Sequence, residues 1–234
     1  MGALPGLPRQ WWTIGVPGVL ERRWSTYWPL PLDAMPPIGR LFDGTLRWLL
    51  DTPTRDPSLQ RGPDTPAQRD ADAEGLRAIA AGLSLPTAFR RFIEDPEPRR
   101  HIRSATACYL DLAQVAVAVS DGGTLIHFLS DQQWVLHWLL YVGSDGSEAV
   151  VVSPEPLGFD DAEQEPLRVV RLEDAEGWLA VCSESFEAFL YRSWIENELF
   201  FRLAVDRTSL EALPAELRAY AKAYPRDDPQ PSGP

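Results

Sequence analysis

From Asp121 to Ser153 the chain alternates three β-branched and aromatic runs with two short polar turns, the pattern of a β-meander. Gly122-Gly123 opens the first run, Ser130–Gln133 separates it from the second, and Gly143-Ser144-Asp145-Gly146 separates the second from the third. Ahead of the meander, Thr106–Leu110 and Val115–Val119 read as short strands, and after it Leu167–Leu172 and Trp178–Cys182 read as two more. Neighbours joined by such short links pair antiparallel. Helical spacing brackets these strands. A helix through Glu74–Ala81 stops at Gly82, and a second starts at Ser84-Leu85-Pro86 with Phe89, Phe92 and Ile93 on one face, until Pro96 and Pro98 end it. Near the C-terminus Phe186, Phe189, Leu190, Trp194 and Phe201 mark the stripe of a long helix that Ser183 or Ser185 can cap, with Glu184 and Glu187 at its positive end. Thr208-x-x-Glu211 has the form of a capping box ahead of Leu213, Leu217 and Tyr220. The expected class is α+β: a mainly antiparallel five- to six-stranded sheet covered by N-terminal and C-terminal helices.

The first 50 residues have a different texture. Five of the nine Trp (Trp11, Trp12, Trp24, Trp28 and Trp48) alternate with Pro17, Pro29, Pro31, Pro36 and Pro37. Large aromatics seek burial, so this segment reads as an irregular strap laid against the following domain, with a short helix near Ile38–Leu50. Asp51–Asp72 is polar, holds four prolines and lacks apolar periodicity, which makes it the linker. The chain thus divides into an extension and linker (1–72), an α+β domain (73–224) and a Pro-rich disordered tail (225–234).

Composition narrows the functions. At 234 residues with 44% hydrophobic and 10% aromatic content, the chain can bury one substantial core. Its longest apolar run, Trp134–Val142, is too short to cross a bilayer and contains His137, and the start MGALPGLPRQ lacks the continuous apolar stretch of a secretory signal, so no membrane association and a cytoplasmic location are expected. Cys108 and Cys182 both sit in apolar runs and read as buried, reduced thiols. The net charge of −12 is divided unequally: residues 1–110 hold 12 Asp and Glu against 14 Arg, whereas residues 111–234 hold 22 acids against 8 bases, a net of −14. A nucleic-acid binder needs the opposite sign, while a basic protein partner would be steered in by such a field.

Catalytic and metal readings find little support. The chain has no Gly-x-Ser-x-Gly elbow and no phosphate-binding Gly loop, and adjacent carboxylates such as Asp160-Asp161 fix no acid–base geometry. His127 and His137 fall on neighbouring strands with Asp131 between them. If Leu129 pairs with Trp134 across a four-residue turn, His127 opposes Leu136 and His137 opposes Ile126, which places the imidazoles on opposite faces and leaves them no shared ion. A one-residue slip would set them opposite one another. No cofactor, metal site or catalytic residue is expected.

Two helices, a run of antiparallel strands and a closing helix, with these residues, resemble the SUKH superfamily, a group of bacterial immunity proteins and related eukaryotic regulators. Leu85-Pro86-x-x-Phe89-x-x-Phe92-Ile93 is similar to the family's entry helix, and Ser185-Phe186-Glu187-Ala188-Phe189-Leu190 to its closing helix. Phe128-x-x-Asp131 and Trp138-x-x-Tyr141 stand where members place a strand, an acidic turn and an aromatic strand. The match spans roughly 73–224, and Glu94-Asp95-Pro96-Glu97-Pro98 replaces the Asn-Gly-Gly turn common after the entry helix. The resemblance implies a non-enzymatic module that neutralises a toxin, often a nuclease. A basic toxin would meet Asp131, Gln132 and Gln133 in one turn, Asp145 and Glu148 in the other, and Asp160, Asp161, Glu163 and Glu165 in the acidic loop. The alternative is a regulatory scaffold that docks partners on the Trp-rich strap.

Overall fold

A computed structural model of the chain describes residues 4–19, 26–55, 59, 66–79, 82–159, 169–175 and 177–225. The strap contributes a two-stranded ribbon, β1 (Gln10–Thr13) paired antiparallel with β2 (Trp28–Pro31), and the short helix α1 (Arg47–Leu50). Helix α2 (Pro66–Ile79) follows, then α3 (Thr87–Glu94), strands β3 (Tyr109–Leu110), β4 (Val117–Val119), β5 (Thr124–Ser130), β6 (His137–Val142), β7 (Glu148–Ser153) and β8 (Val169–Val170), the single turn α4 (Leu172–Ala175), β9 (Ala180–Ser183), α5 (Phe186–Phe200) and α6 (Ala215–Ala223). Helix α2 begins at Pro66, inside the stretch read as linker, because Pro is tolerated in a first turn. Thr208 caps nothing helical: Pro214 precedes α6 and sets its start.

The α+β class holds, and the sheet is mixed rather than mainly antiparallel. Its seven strands run β8-β4-β5-β6-β7-β9, with β3 also on β5, and β8 lies parallel to β4 through Ala118–Val169 and Val119–Val170. The strand falls within the stretch Leu167–Leu172 read as β from sequence, but its parallel direction differs from the antiparallel pairing expected, because two paired residues carry no signal of direction. On the far edge Pro8 and Arg9 bridge to Val181, so the strap covers β9.

Both faces of the sheet are buried. On one side Ile126, Phe128, Trp138, Leu140, Val150 and Val152 join α3, α5 and the strap in the main core. On the other, Leu125, Leu139, Tyr141 and Val151 lie beneath Leu4, Leu7, Leu157, Val170, Ala175 and Leu179. Every residue of β6 is therefore buried, which is why it reads as a continuous apolar run instead of alternating.

Helix α5 runs through the middle. Ser185 caps it by accepting a hydrogen bond from the Ala188 amide, and Phe186, Phe189 and Leu190 face the sheet. Its back is buried too, and the polar residues there are each met. Glu187 accepts from the Gly44 amide and the Trp48 indole at 2.7 and 2.9 Å. Arg192 donates to Pro36 O and the Tyr220 hydroxyl, and Glu196 accepts from Thr13 and Tyr220. Trp11 packs on Phe189, and Trp48 on Tyr191 and Trp194. Burial raises the Glu196 carboxyl above the usual range, as expected for an acid that is nearly dry and hydrogen-bonded to neutral hydroxyls.

Candidate functional site

The link between β5 and β6 carries the most unusual local structure. It spans 131–136, two residues longer than the sequence suggests. The Asp131 carboxylate accepts from the Val135 amide at 2.8 Å, its carbonyl accepts from the Trp134 amide, and Trp134 takes a left-handed backbone with φ of 58°. A non-glycine residue pays for that conformation, so something must hold it. The Trp134 indole N–H donates to the Tyr109 hydroxyl, and its ring packs edge-on against His137 and tilted against Phe159, with centroids 5.6 and 5.7 Å away. Trp134 nevertheless stays 46% exposed, flanked by exposed Gln132, Gln133 and Val135.

Beneath it lies a buried polar cluster. Ser130 Oγ is 2.7 Å from Asp111 Oδ2, 2.9 Å from His127 Nε2 and 2.9 Å from His137 Nδ1. A hydroxyl has one proton. Given to the carboxylate, it leaves two lone pairs, so both imidazoles donate, His127 through Nε2 and His137 through Nδ1. Both rings are then neutral. Burial first, and the neighbouring His137 second, push His127 down to about 3, and burial lowers His137 as well.

This overturns the register expected from sequence. His127 opposes Leu139, not Leu136, and a bulge between His127 and Leu129 then sets Ser130 opposite His137. The extra residue turns Ser130 and both histidines onto one face, where the imidazole centroids are 5.0 Å apart. Among the described residues no group of three or more His, Cys, Asp or Glu is arranged to hold a metal. The cluster shares residue types with a nucleophilic triad but not its order. Serine is the hub, its proton goes to a carboxylate, and it is fully buried beneath the turn, so it serves to anchor the turn.

The described members of the other sequence-predicted contacts fall into two groups that stand apart from one another. Asp131 is buried and spends its carboxylate on the turn, so it presents no charge to a partner. Gln132 and Gln133 are exposed beside Trp134. Asp145 and Glu148 lie at the other end of β6, about 20 Å away at ~3.3 Å per residue. There Asp145 accepts from the Ser147 amide, and Glu148 is partly buried, its carboxyl raised by burial and by Glu187. Asp160, Asp161, Glu163 and Glu165 lie outside the described residues. Sequence reasoning missed Trp134, Val135, Phe159 and Tyr109. An apolar pair following Gln-Gln in a turn was the available signal, since turn tips are ordinarily polar. Set against family models, curated proteins and solved structures, the chain matches none.

Proposed function

We propose that the chain is a non-enzymatic protein-binding module that grips a basic partner through the β5–β6 turn, with Trp134 as its anchor. The observation that carries the reading is an aromatic ring fixed half-exposed on a costly backbone by Tyr109, His137 and Phe159. Rigid Trp side chains at the centre of a contact dominate interface energies, with polar neighbours such as Gln132 and Gln133 excluding water around them. The −14 balance of residues 111–234 supports a cationic partner. The resemblance to SUKH immunity proteins supports a toxin as that partner, met in the cytoplasm. The scaffold alternative draws less support, because Trp11 is buried, Trp12 and Trp48 are partly buried in the core, and of the described strap tryptophans only Trp28 is largely exposed.

The test uses co-purification with the product of the adjacent reading frame, followed by calorimetry. Trp134→Ala is expected to weaken binding by about 2 kcal/mol, roughly thirty-fold. Trp134→Gly should weaken it equally and lose less thermal stability than Trp134→Ala, because both lose the ring's contacts and only glycine relieves the left-handed backbone. Trp28→Ala should bind normally. Full affinity in Trp134→Ala, or loss confined to Trp28→Ala, would refute the reading.

A further inference from the structure

Away from the turn, three guanidinium groups converge on one carboxylate. Glu198, in the last turn of α5, has a side chain only 1% exposed. Arg55, in the linker just beyond α1, meets it bidentately through Nε and Nη2, both at 2.6 Å. Arg103, ahead of β3, places Nη2 at 3.2 Å and Nε at 3.0 Å, with its Cζ over the Phe201 ring 4.3 Å from the centroid. Arg202 brings Nε to 3.4 Å. It is carried by a turn of π-helix, Phe201–Val205, which continues α5 with one residue more per turn, a distortion often found at functional sites.

Among the described residues the charge in direct contact does not balance: three cations meet one carboxylate, a surplus of two, in a site where the Arg side chains are 18%, 13% and 32% exposed. Burial first, and the charge of Arg55 after it, lower Arg103 against the pull of Glu198. Asp206, exposed, attracts Arg103 but forms no ion pair with it among the described residues. Partly buried charges are ordinarily matched one for one. Each guanidinium has five N–H groups, of which the contacts with Glu198 use one or two, so a fork of donors is left at each arginine.

We infer that the Arg55–Arg103–Arg202 cluster is an anion site for a phosphate-class dianion, with Glu198 fixing the three forks around it. Two negative charges cancel the surplus, and tetrahedral oxygens suit guanidinium forks arriving from three directions. The site is independent of the Trp134 turn, so either reading stands if the other fails.

Thermal unfolding and calorimetry of the full chain in inorganic phosphate, against sodium chloride at matched ionic strength, test it. Phosphate is expected to raise the Tm saturably beyond chloride. Arg202→Gln, at the most exposed of the three, should lower the apparent phosphate affinity tenfold or more, while Arg77→Gln on α2 leaves it unchanged. Phosphoserine as a second ligand separates the sources: a stronger response than to phosphate assigns a phosphoryl group carried on a larger molecule, and an equal one assigns the free ion. A phosphate response no greater than that to chloride, or one undiminished in Arg202→Gln, overturns the site.

Discussion

Phe186→Ala is expected to destabilise the fold by about 3–5 kcal/mol, the range for emptying a buried Phe site. Phe186 is fully buried at the first position of α5, and its ring meets Phe89 at 5.0 Å, Phe92 at 5.5 Å and Phe128 at 5.2 Å, all edge-on. Those partners belong to α3 and β5, so one side chain joins the entry helix, the sheet and the closing helix. Edge-on ring pairs add roughly 0.5–1.5 kcal/mol beyond area burial, and three of them end together here, which places the loss toward the upper end. Urea unfolding should show a lower midpoint with an unchanged slope, and Phe186→Leu should recover more than half of the loss by refilling the volume. A loss below about 2 kcal/mol would mean that the ring cluster relaxes around the gap, and would remove its standing as the junction of the fold.

The same cluster shows what the sequence could reveal. Leu85, Phe89, Phe92 and Ile93 of one motif and Phe186, Phe189 and Leu190 of the other are all buried in the main core, because 3.6-residue spacing of large apolar side chains is a strong and local signal. The meander was legible for a similar reason: its turns are marked by Gly, Asp and Ser. What failed was everything set by partners distant in the chain. The back of α5 carries Glu187, Arg192, Glu196 and Glu198, all buried because the strap and α6 supply donors and acceptors to the first three, and Arg55 and Arg103 to the last. Glu198 thus becomes the centre of an arginine cluster whose members come from distant parts of the chain.

The site was lost through two residues of turn length and one bulge. Counting a four-residue turn put His127 and His137 on opposite faces, whereas the six-residue turn and the bulge after His127 bring them together on Ser130. Neither device has a composition signature. The left-handed Trp134 and the buried carboxylate of Asp131 are consequences of the same turn, whereas Asp145 and Glu148 stand at the opposite end of β6.

Acidification should therefore act on this turn first. His127 is held neutral with its titration pushed down to about 3, against an ordinary value near 6.5, so between those limits the unfolded chain binds a proton that the folded chain refuses. Stability from this group is complete above about pH 6.5 and declines as pH falls toward 3, at about 1.4 kcal/mol per pH unit. From pH 6.5 to 4.5 the loss is roughly 2–3 kcal/mol, and His137, lowered in the same direction, adds to it. Glu148 and Glu196 oppose the trend, because carboxyls raised by burial favour the fold as they take up protons. The measurement must therefore compare slopes. His127→Gln, which keeps an N–H for Ser130 but cannot titrate, should lose markedly less stability between pH 6.5 and 4.5 in urea unfolding than the parent, and Trp134 fluorescence should report the turn opening at higher pH in the parent than in the variant. Equal slopes would place the acid sensitivity elsewhere. In that case the Ser130 hub would be rigid packing rather than a charged-state constraint on the Trp134 turn.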